Sequence, residues 1–333
     1  MTRAKVIGMG HYIPDRVVTN FDLEKVMDTS DQWIKERTGI SERRFFDPDK
    51  DTVANMAARA SLLAVEQSGI DIKDIEFIVL ATITPDYFFP GSGVLLQREL
   101  GLEGIGALDI RNACSGFIYG LSVAEQYIKT KTYKNILVVG AEIQSSALEM
   151  NDRGRSVSVI FADGAGAVIL QASDDSDDMG VLSTHLHADG RFAEELYVRD
   201  PGSSRKERLT KDMIDDVGIR AHMNGNTVFK HAVVRFQEVI HEALEANQLK
   251  IDDIDLLIPH QANLRINQFV QKQLGLGDDQ VFNNIMNRGN TTAASIPIAM
   301  SEAWGEGKLK PGDLLCIAAF GSGFTWASAL IKF

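Results

Sequence analysis

A chain of 333 residues, 44% hydrophobic and 24% charged, holds enough apolar material for one large or two medium globular cores. Its formal net charge of −12 argues against general nucleic-acid binding but leaves room for a local basic patch. No apolar run reaches the roughly 18 residues of a membrane span, and two cysteines, Cys114 and Cys316, make no disulfide framework, which fits a reducing cytoplasm.

The opening stretch, 1–10, reads as a strand at Val6-Ile-Gly8 entering a turn, with an apolar part too short for a signal peptide. A loop through Pro14 follows, then a helix over 21–27 with Asn20 as its N-cap. Residues 29–39 have a helical pattern, carry Trp33 and Arg37 four apart, and stop at Gly39. The spacing of Ala54, Ala57, Ala58, Leu62 and Leu63 predicts an amphipathic helix over 52–68. A buried strand over 75–81 and a helix over 91–100 lead to the apolar run 105–108, to Cys114, and to a helix over 117–128. A second buried strand spans 135–141, and 156–160 with 165–170 reads as a hairpin around Asp163-Gly-Ala-Gly166. The polar connector 173–178 divides the chain into halves 1–172 and 173–333.

The second half opens with a strand over 180–187. Residues 190–224 read as an exposed, polar excursion, helical in part near its end. A long helix over 226–246, a strand over 254–258, helices over 264–274 and 294–304, and a strand over 314–319 complete it. Helices alternating with short apolar strands predict an α/β layered fold. The halves also resemble each other. Ile72-Lys-Asp-Ile75 recurs as Ile251-Asp-Asp-Ile254 at an offset of 179, and Gln97-Arg-Glu-Leu-Gly-Leu102 as Gln271-Lys-Gln-Leu-Gly-Leu276 at 174. At a nearby offset of 176, Cys114 falls opposite Asn290. This reads as an internal duplication, two copies of one α/β unit packed face to face.

Cys114 stands where a strand gives way to a helix. The first N–H groups of a helix have no intrahelical partner and carry partial positive charge, so a thiol there is expected to titrate below its usual value of about 8.5. Small Ser115 and Gly116 leave a substrate room to approach an activated nucleophile; a small buried hydrophobe is the other reading. His260 follows a buried strand, where sites gather in α/β folds, with Pro259 fixing the strand exit and polar Gln261 and Asn263 after it. His185 and His187 read as alternation on a strand, not as metal ligands, and His231 and His241 as solvated helix positions. Ser322, flanked by Gly321 and Gly323, either turns backbone N–H groups into a cavity as an oxyanion hole requires or forms a tight turn between strands. The glycines at 164–166 lack the helix that a nucleotide-binding loop needs.

Four ordered motifs, Asn112-Ala-Cys114-Ser-Gly-Phe117, His260-Gln-Ala-Asn263-Leu-Arg-Ile266, Gly289-Asn290-Thr-Thr-Ala-Ala-Ser-Ile-Pro297 and Phe320-Gly-Ser-Gly-Phe-Thr-Trp326, together with Thr29-Ser-Asp-Gln-Trp33-Ile34 and Arg37-Thr-Gly-Ile40, resemble β-ketoacyl-acyl-carrier-protein synthase III over essentially the whole chain. The resemblance implies a duplicated thiolase fold with layers αβαβα. It implies that Cys114 takes the acyl group of an acyl-coenzyme A. His260 and Asn290 would then hydrogen-bond the thioester oxygen of malonyl-acyl-carrier protein as carbon dioxide leaves, and the N–H groups of Cys114 and Ser322 would hold the tetrahedral oxyanion. It further implies Trp33, Arg37, Thr38 and Arg153 at the nucleotide of coenzyme A, with Gly225, Asn226 and Asn263 along the pantetheine tunnel. Lys230, Arg265 and Lys272 would meet the acidic carrier protein, and Phe89 and Phe320 would lie at the acyl pocket. Coenzyme A enters only as substrate, with no metal and no further cofactor, and a homodimer pairs the sheets of the nucleophile-bearing halves, Phe89 crossing to the partner's pocket. Three departures stand out: Ser115 after the nucleophile, Ser322 where the oxyanion glycine often stands, and a longer excursion over 190–224.

Elongating synthases use two histidines and thiolases a second cysteine, so Asn290 and an apolar setting for Cys316 speak against both. Plant-type polyketide synthases are longer. The alternatives left are a related condensing enzyme of secondary metabolism with another acyl substrate, and a non-catalytic acyl-coenzyme A binding protein.

Overall fold

Local chemistry sets most of the element boundaries. In the computed structural model, which describes residues 2–173, 178–215 and 217–333, the first half runs β1 (Ala4–Tyr12), β2 (Arg16–Thr19), α1 (Asn20–Leu23), α2 (Asp31–Thr38), β3 (Glu42–Phe45), α3 (Val53–Ser68), β4 (Phe77–Ala81), α4 (Ser92–Glu99), β5 (Gly106–Ile110), α5 (Gly116–Lys129), β6 (Asn135–Glu142), α6 (Arg155–Ser158) and β7 (Gly164–Ala172). The second runs β8 (Gly180–Ala188), β9 (Leu196–Tyr197), α7 (Asp212–Asp215), β10 (His222–Met223), α8 (Gly225–Ala246), β11 (Leu256–Pro259), α9 (Leu264–Leu274), α10 (Ile285–Arg288), α11 (Ser295–Gly305), β12 (Leu314–Gly321) and β13 (Thr325–Lys332). The connector expected at 173–178 lies outside the described residues over 174–177. Among the described residues no helix is long and apolar enough to cross a membrane.

Helix α2 starts where the Ser30 hydroxyl accepts the Trp33 N–H and ends on Gly39 at φ 79°. Asn20 is not an N-cap. Thr19 and Asp22 close a capping box instead, and Asn20 turns inward, its Nδ2 donating to Asp31 at 2.9 Å and to the Ile40 carbonyl at 2.7 Å. Nor do Leu62 and Leu63 belong to the buried stripe of α3: they are 51% and 48% exposed. The stripe is made of small residues, Ala57, Ala60 and Ala64 among them, and β1 answers with Gly8 and Gly10, where any Cβ would strike the backbone of α3. The expected hairpin over 156–170 is also absent: 155–158 form the helical turn α6, and β7 pairs antiparallel with β6 and β1, strands far off in sequence.

Two sheets carry the fold, in the orders β1-β7-β6-β4-β5 and β8-β13-β12-β11. Pairings correspond strand for strand: β4–β6 and β11–β12 are parallel, β6–β7 and β12–β13 antiparallel, β7–β1 and β13–β8 antiparallel. The counterpart of β5 shrinks to one bridge, Leu257–Val281. Helices α5 and α11 form the middle layer, where Phe117, Leu121, Ile296 and Met300 pack with Val79 and Val138 of one sheet and Ile317 and Ala329 of the other. The alternate residues of the same strands face outward, as the period of two requires: Ile78 and Leu137 under α3 and α4, Cys316 and Leu330 under α8 and α9. The layers are therefore αβαβα, the thiolase arrangement. Cys316 is a core side chain, fully buried.

The duplication holds at an offset of 179 residues, which relates Asn135–Glu142 to Leu314–Gly321 and the turn Ala113–Ser115 to Thr292–Ala294. Ala113 and Thr292 even share a left-handed backbone, φ 44° and 51°. The structural mate of Cys114 is accordingly Ala293, and Asn290 precedes that mate by three residues.

Candidate active site

The nucleophile turn follows β5. Ala113 holds a left-handed φ of 44°, a conformation costing a non-glycine residue about 1–3 kcal/mol, and delivers Cys114 to the start of α5. Cys114 is 6% exposed and lies against Gly321, where an added Cβ would stand 2.5 Å from its Cβ and 2.9 Å from its Sγ. The backbone N–H groups of Ser322 and of Cys114 itself act on the sulfur so as to favour the thiolate. Their effect and that of the helix start are outweighed: burial, with the Glu142 charge adding, pushes the thiol up to about 12. This corrects the lowered value expected from position alone. The resting group is the thiol.

Glu142, at the end of β6, is fully buried and pushed up to about 8 by that burial. It accepts from the Thr84 hydroxyl at 2.6 Å, the Ile83 N–H at 3.2 Å and the Ala293 N–H, tying the first sheet to the turn after Asn290. Its raised value means that its contribution to stability is full below the ordinary 4.5 and is lost as pH rises toward 8. Glu142→Gln, neutral throughout, is expected to gain in melting temperature relative to wild type between about pH 5 and 8. A difference independent of pH in thermal melts would refute this.

His260 extends the pairing of β11 with β12, its N–H donating to the Ala318 carbonyl at 2.7 Å. The ring is wholly buried, which holds its pKa down at about 3, so it is neutral. Its Nδ1 lies 2.6 Å from the Ser295 hydroxyl, which itself accepts the Gln261 N–H at 3.4 Å. A hydroxyl hydrogen donated to Nδ1 places the ring proton on Nε2. Among the described residues Nε2 is buried with no hydrogen-bond partner. Asn290 is fixed by a backbone bridge to 160–162, and its Oδ1 accepts the Thr292 N–H at 2.8 Å. The amide N–H2 is the end left to donate.

Cys114, His260 and Asn290 line one narrow cavity of about 110 Å³, together with Gly321, Phe320 and Asn263. Gly225, first residue of α8, also lines it, whereas Asn226 is exposed and does not. Asn263 caps α9 and donates to the Arg37 carbonyl at 2.9 Å, bringing the end of α2 to the cavity. Two guanidinium groups lie over the Trp33 ring, Arg37 at 4.8 Å and Arg155 at 5.1 Å from its centroid. Arg155 was not singled out by its sequence setting; Arg153 pairs with Glu149. The Thr38 hydroxyl is turned into its own helix, donating to the Ile34 carbonyl at 2.7 Å. Lys230 on α8 and Arg265 and Lys272 on α9 are exposed, the latter two on one helical face. Phe89 stands 78% exposed, edge-on to Phe88, and does not line this cavity. The excursion 190–224 is less exposed than expected: Asp200 is 2% exposed between Arg199 and Arg205, and Leu196 and Met223 form part of the cavity wall.

Comparison with known proteins finds similarity over the length of the chain. The family described as 3-oxoacyl-[acyl-carrier-protein] synthase III matches residues 108–190, and its C-terminal part matches 244–333. The chain is 46% identical over 335 residues to the β-ketoacyl-[acyl-carrier-protein] synthase III of Alkalilimnicola ehrlichii, covering 100% of both chains. To that of Aliivibrio fischeri it is 46% identical over 330 residues, 99% of each. Among solved structures, the 3-oxoacyl-[acyl-carrier-protein] synthase III of Aquifex aeolicus superposes with a TM-score of 0.90 at 42% identity, covering 99% of this chain and 100% of that one.

Proposed function

The chain belongs to the 3-oxoacyl-[acyl-carrier-protein] synthase III family, and on that premise we propose a division of labour in which Cys114 carries the acyl group and His260 with Asn290 drives decarboxylation. It is a condensing, acyl-transferring enzyme that initiates fatty acid synthesis. The Cys114 sulfur attacks the thioester carbonyl of an acyl-coenzyme A, and coenzyme A leaves as its thiol with the proton. Malonyl-acyl-carrier protein then enters. Its carboxylate leaves as carbon dioxide, and the electron pair moves onto the thioester oxygen, held by two neutral donors, His260 Nε2–H and the Asn290 amide. Neutral donors suit this step, because a dry pocket strengthens their hold on the enolate oxygen without burying another charge. The carbanion attacks the acyl carbonyl on Cys114, and the N–H groups of Cys114 and Ser322 hold the resulting oxyanion until the sulfur departs. The observation that carries this reading is the convergence of Cys114, His260 and Asn290 on one cavity.

At the outer end Trp33, Arg37 and Arg153 take the nucleotide of coenzyme A, with the Thr38 turn beside them, a planar face and phosphate partners in one place. Gly225, Asn226 and Asn263 guide the pantetheine, and Lys230, Arg265 and Lys272 give an acidic enzyme a cationic patch for an acidic carrier protein. Two copies join through β5, whose pairing within this chain is with β4, and Phe89 of each closes the pocket of the other. Its large ring favours a short primer. A reducing cytoplasm suits the free thiols Cys114 and Cys316. Intact-protein mass spectrometry after incubation with acetyl-coenzyme A is expected to give one acyl adduct per chain, mapping to the Cys114 peptide. No adduct with any primer from acetyl to branched and longer acyl-coenzyme A would favour a non-catalytic binder.

A further inference from the structure

The turn that carries the Ser322 N–H is held from two sides. Toward the nucleophile, the Ser115 hydroxyl meets the Thr325 hydroxyl at 2.6 Å, and Thr325 donates to the Ser322 carbonyl at 3.0 Å. Toward the 190–224 segment, Asp189 and Phe324 exchange backbone hydrogen bonds at 2.8 and 2.9 Å, and the Phe192 ring stacks on Phe324 at 5.3 Å. The Ser322 hydroxyl then donates to the carbonyl of Leu196. Leu196 lines the cavity and pairs with Met223, which lines it too. The cavity wall and the turn are thus joined by a side chain that a glycine at 322 would lack, and the N–H of the same residue acts on the Cys114 sulfur.

We propose that Ser322 is a specificity-determining positioning residue whose hydroxyl couples the acyl wall at Leu196 to the oxyanion N–H, so that primer length is read in the rate of acyl transfer. A chain long enough to press on Leu196 pulls the Ser322 carbonyl and N–H with it. Donors to an oxyanion are sensitive to such shifts: losing one lowers the rate about 10²–10³-fold, and a displacement of 1 Å in a reacting geometry can cost about 10². A short primer leaves the wall and the donor where they are. Discrimination of this kind appears in the acylation rate, beyond whatever appears in binding.

The inference rests on reading Cys114 as the acyl acceptor. Single-turnover acylation by acetyl- and hexanoyl-coenzyme A is measured for wild type, Ser322→Ala, Leu196→Ala and the double variant, with binding followed separately and thermal melts confirming folding. Ser322→Ala keeps the backbone N–H. It is expected to reduce the acetyl-over-hexanoyl rate ratio about tenfold with little change in the ratio of binding constants. In the double-variant cycle the two effects on that ratio are expected to fall short of multiplying, because either change alone breaks the same link. Slowing of both primers by one common factor, or fully multiplicative effects, overturns the proposal. Wild-type protein that forms no adduct with either primer overturns the parent reading instead, so the two failures are told apart.

Discussion

Cys114→Ala is expected to form no acyl adduct yet to go on decarboxylating malonyl-acyl-carrier protein, whereas His260→Ala and Asn290→Asp are expected to acylate and to lose decarboxylation about 10²–10³-fold each. The separation follows from what each group can do. Cys114 is the only thiol among the described residues that line the cavity, and nothing replaces its sulfur in alanine. The enolate, by contrast, needs hydrogen-bond donors at one oxygen, and the sulfur is not one of them. His260 is proposed for this role because the Ser295 hydroxyl stands 2.6 Å from Nδ1, which leaves Nε2 for the substrate, and because burial keeps the ring neutral with a pKa of about 3. Asn290→Asp is the sharper variant at its position. An aspartate oxygen can still accept the Thr292 N–H, 2.8 Å away in the parent, so the turn is preserved while the N–H2 donor is lost. Acylation is read by intact mass, and decarboxylation by release of labelled carbon dioxide. Unimpaired decarboxylation in either variant would remove His260 or Asn290 from the role.

Much of this site was legible in the sequence because its parts sit at changes of local structure. Cys114 marks a strand-to-helix switch among small residues, His260 a strand exit set by proline, and Ser322 a turn between glycines. Those are chain-local signals. What could not be read depends on contacts between distant segments. Gly321 is required only because Cys114 lies against it. Ser295 has no local mark, since its hydroxyl matters through His260, 35 residues earlier. The thiol was expected to titrate low because its place on the helix is visible in sequence and its burial is not. The same limit moved the mate of Cys114 from Asn290 to Ala293, a loop-length difference that no short motif reveals. It also turned an expected hairpin into a helical turn, because β7 finds its partners in β1 and β6.

Gly321→Ala is expected to slow acylation by about 10² or more while leaving the chain folded. The added Cβ would stand 2.5 Å from Cys114 Cβ, 2.9 Å from Sγ and 3.2 Å from the Cys114 nitrogen. None of these is the far end of a flexible side chain. Cys114 Cβ and nitrogen are fixed by a turn already holding Ala113 at φ 44°, with α5 behind it, and Gly321 closes β12 in register with Thr325 of β13. Relief must therefore come from moving the nucleophile turn away from the Ser322 N–H, or the end of β12 away from Cys114. Either opens the geometry that acyl transfer uses. The strain is local to one strand end, so stability is expected to fall by about 1–3 kcal/mol, the usual range for an overpacked site. Gly305→Ala provides the contrast: it lies at the end of α11 with nothing within 4 Å of its would-be Cβ, and there alanine is expected to preserve acylation and to melt no lower than wild type. The rate of adduct formation on each variant, beside its thermal melt, separates the two cases, and Gly321→Ala protein that acylates at the wild-type rate would show that the approach of Cys114 to this strand end is not what positions the sulfur.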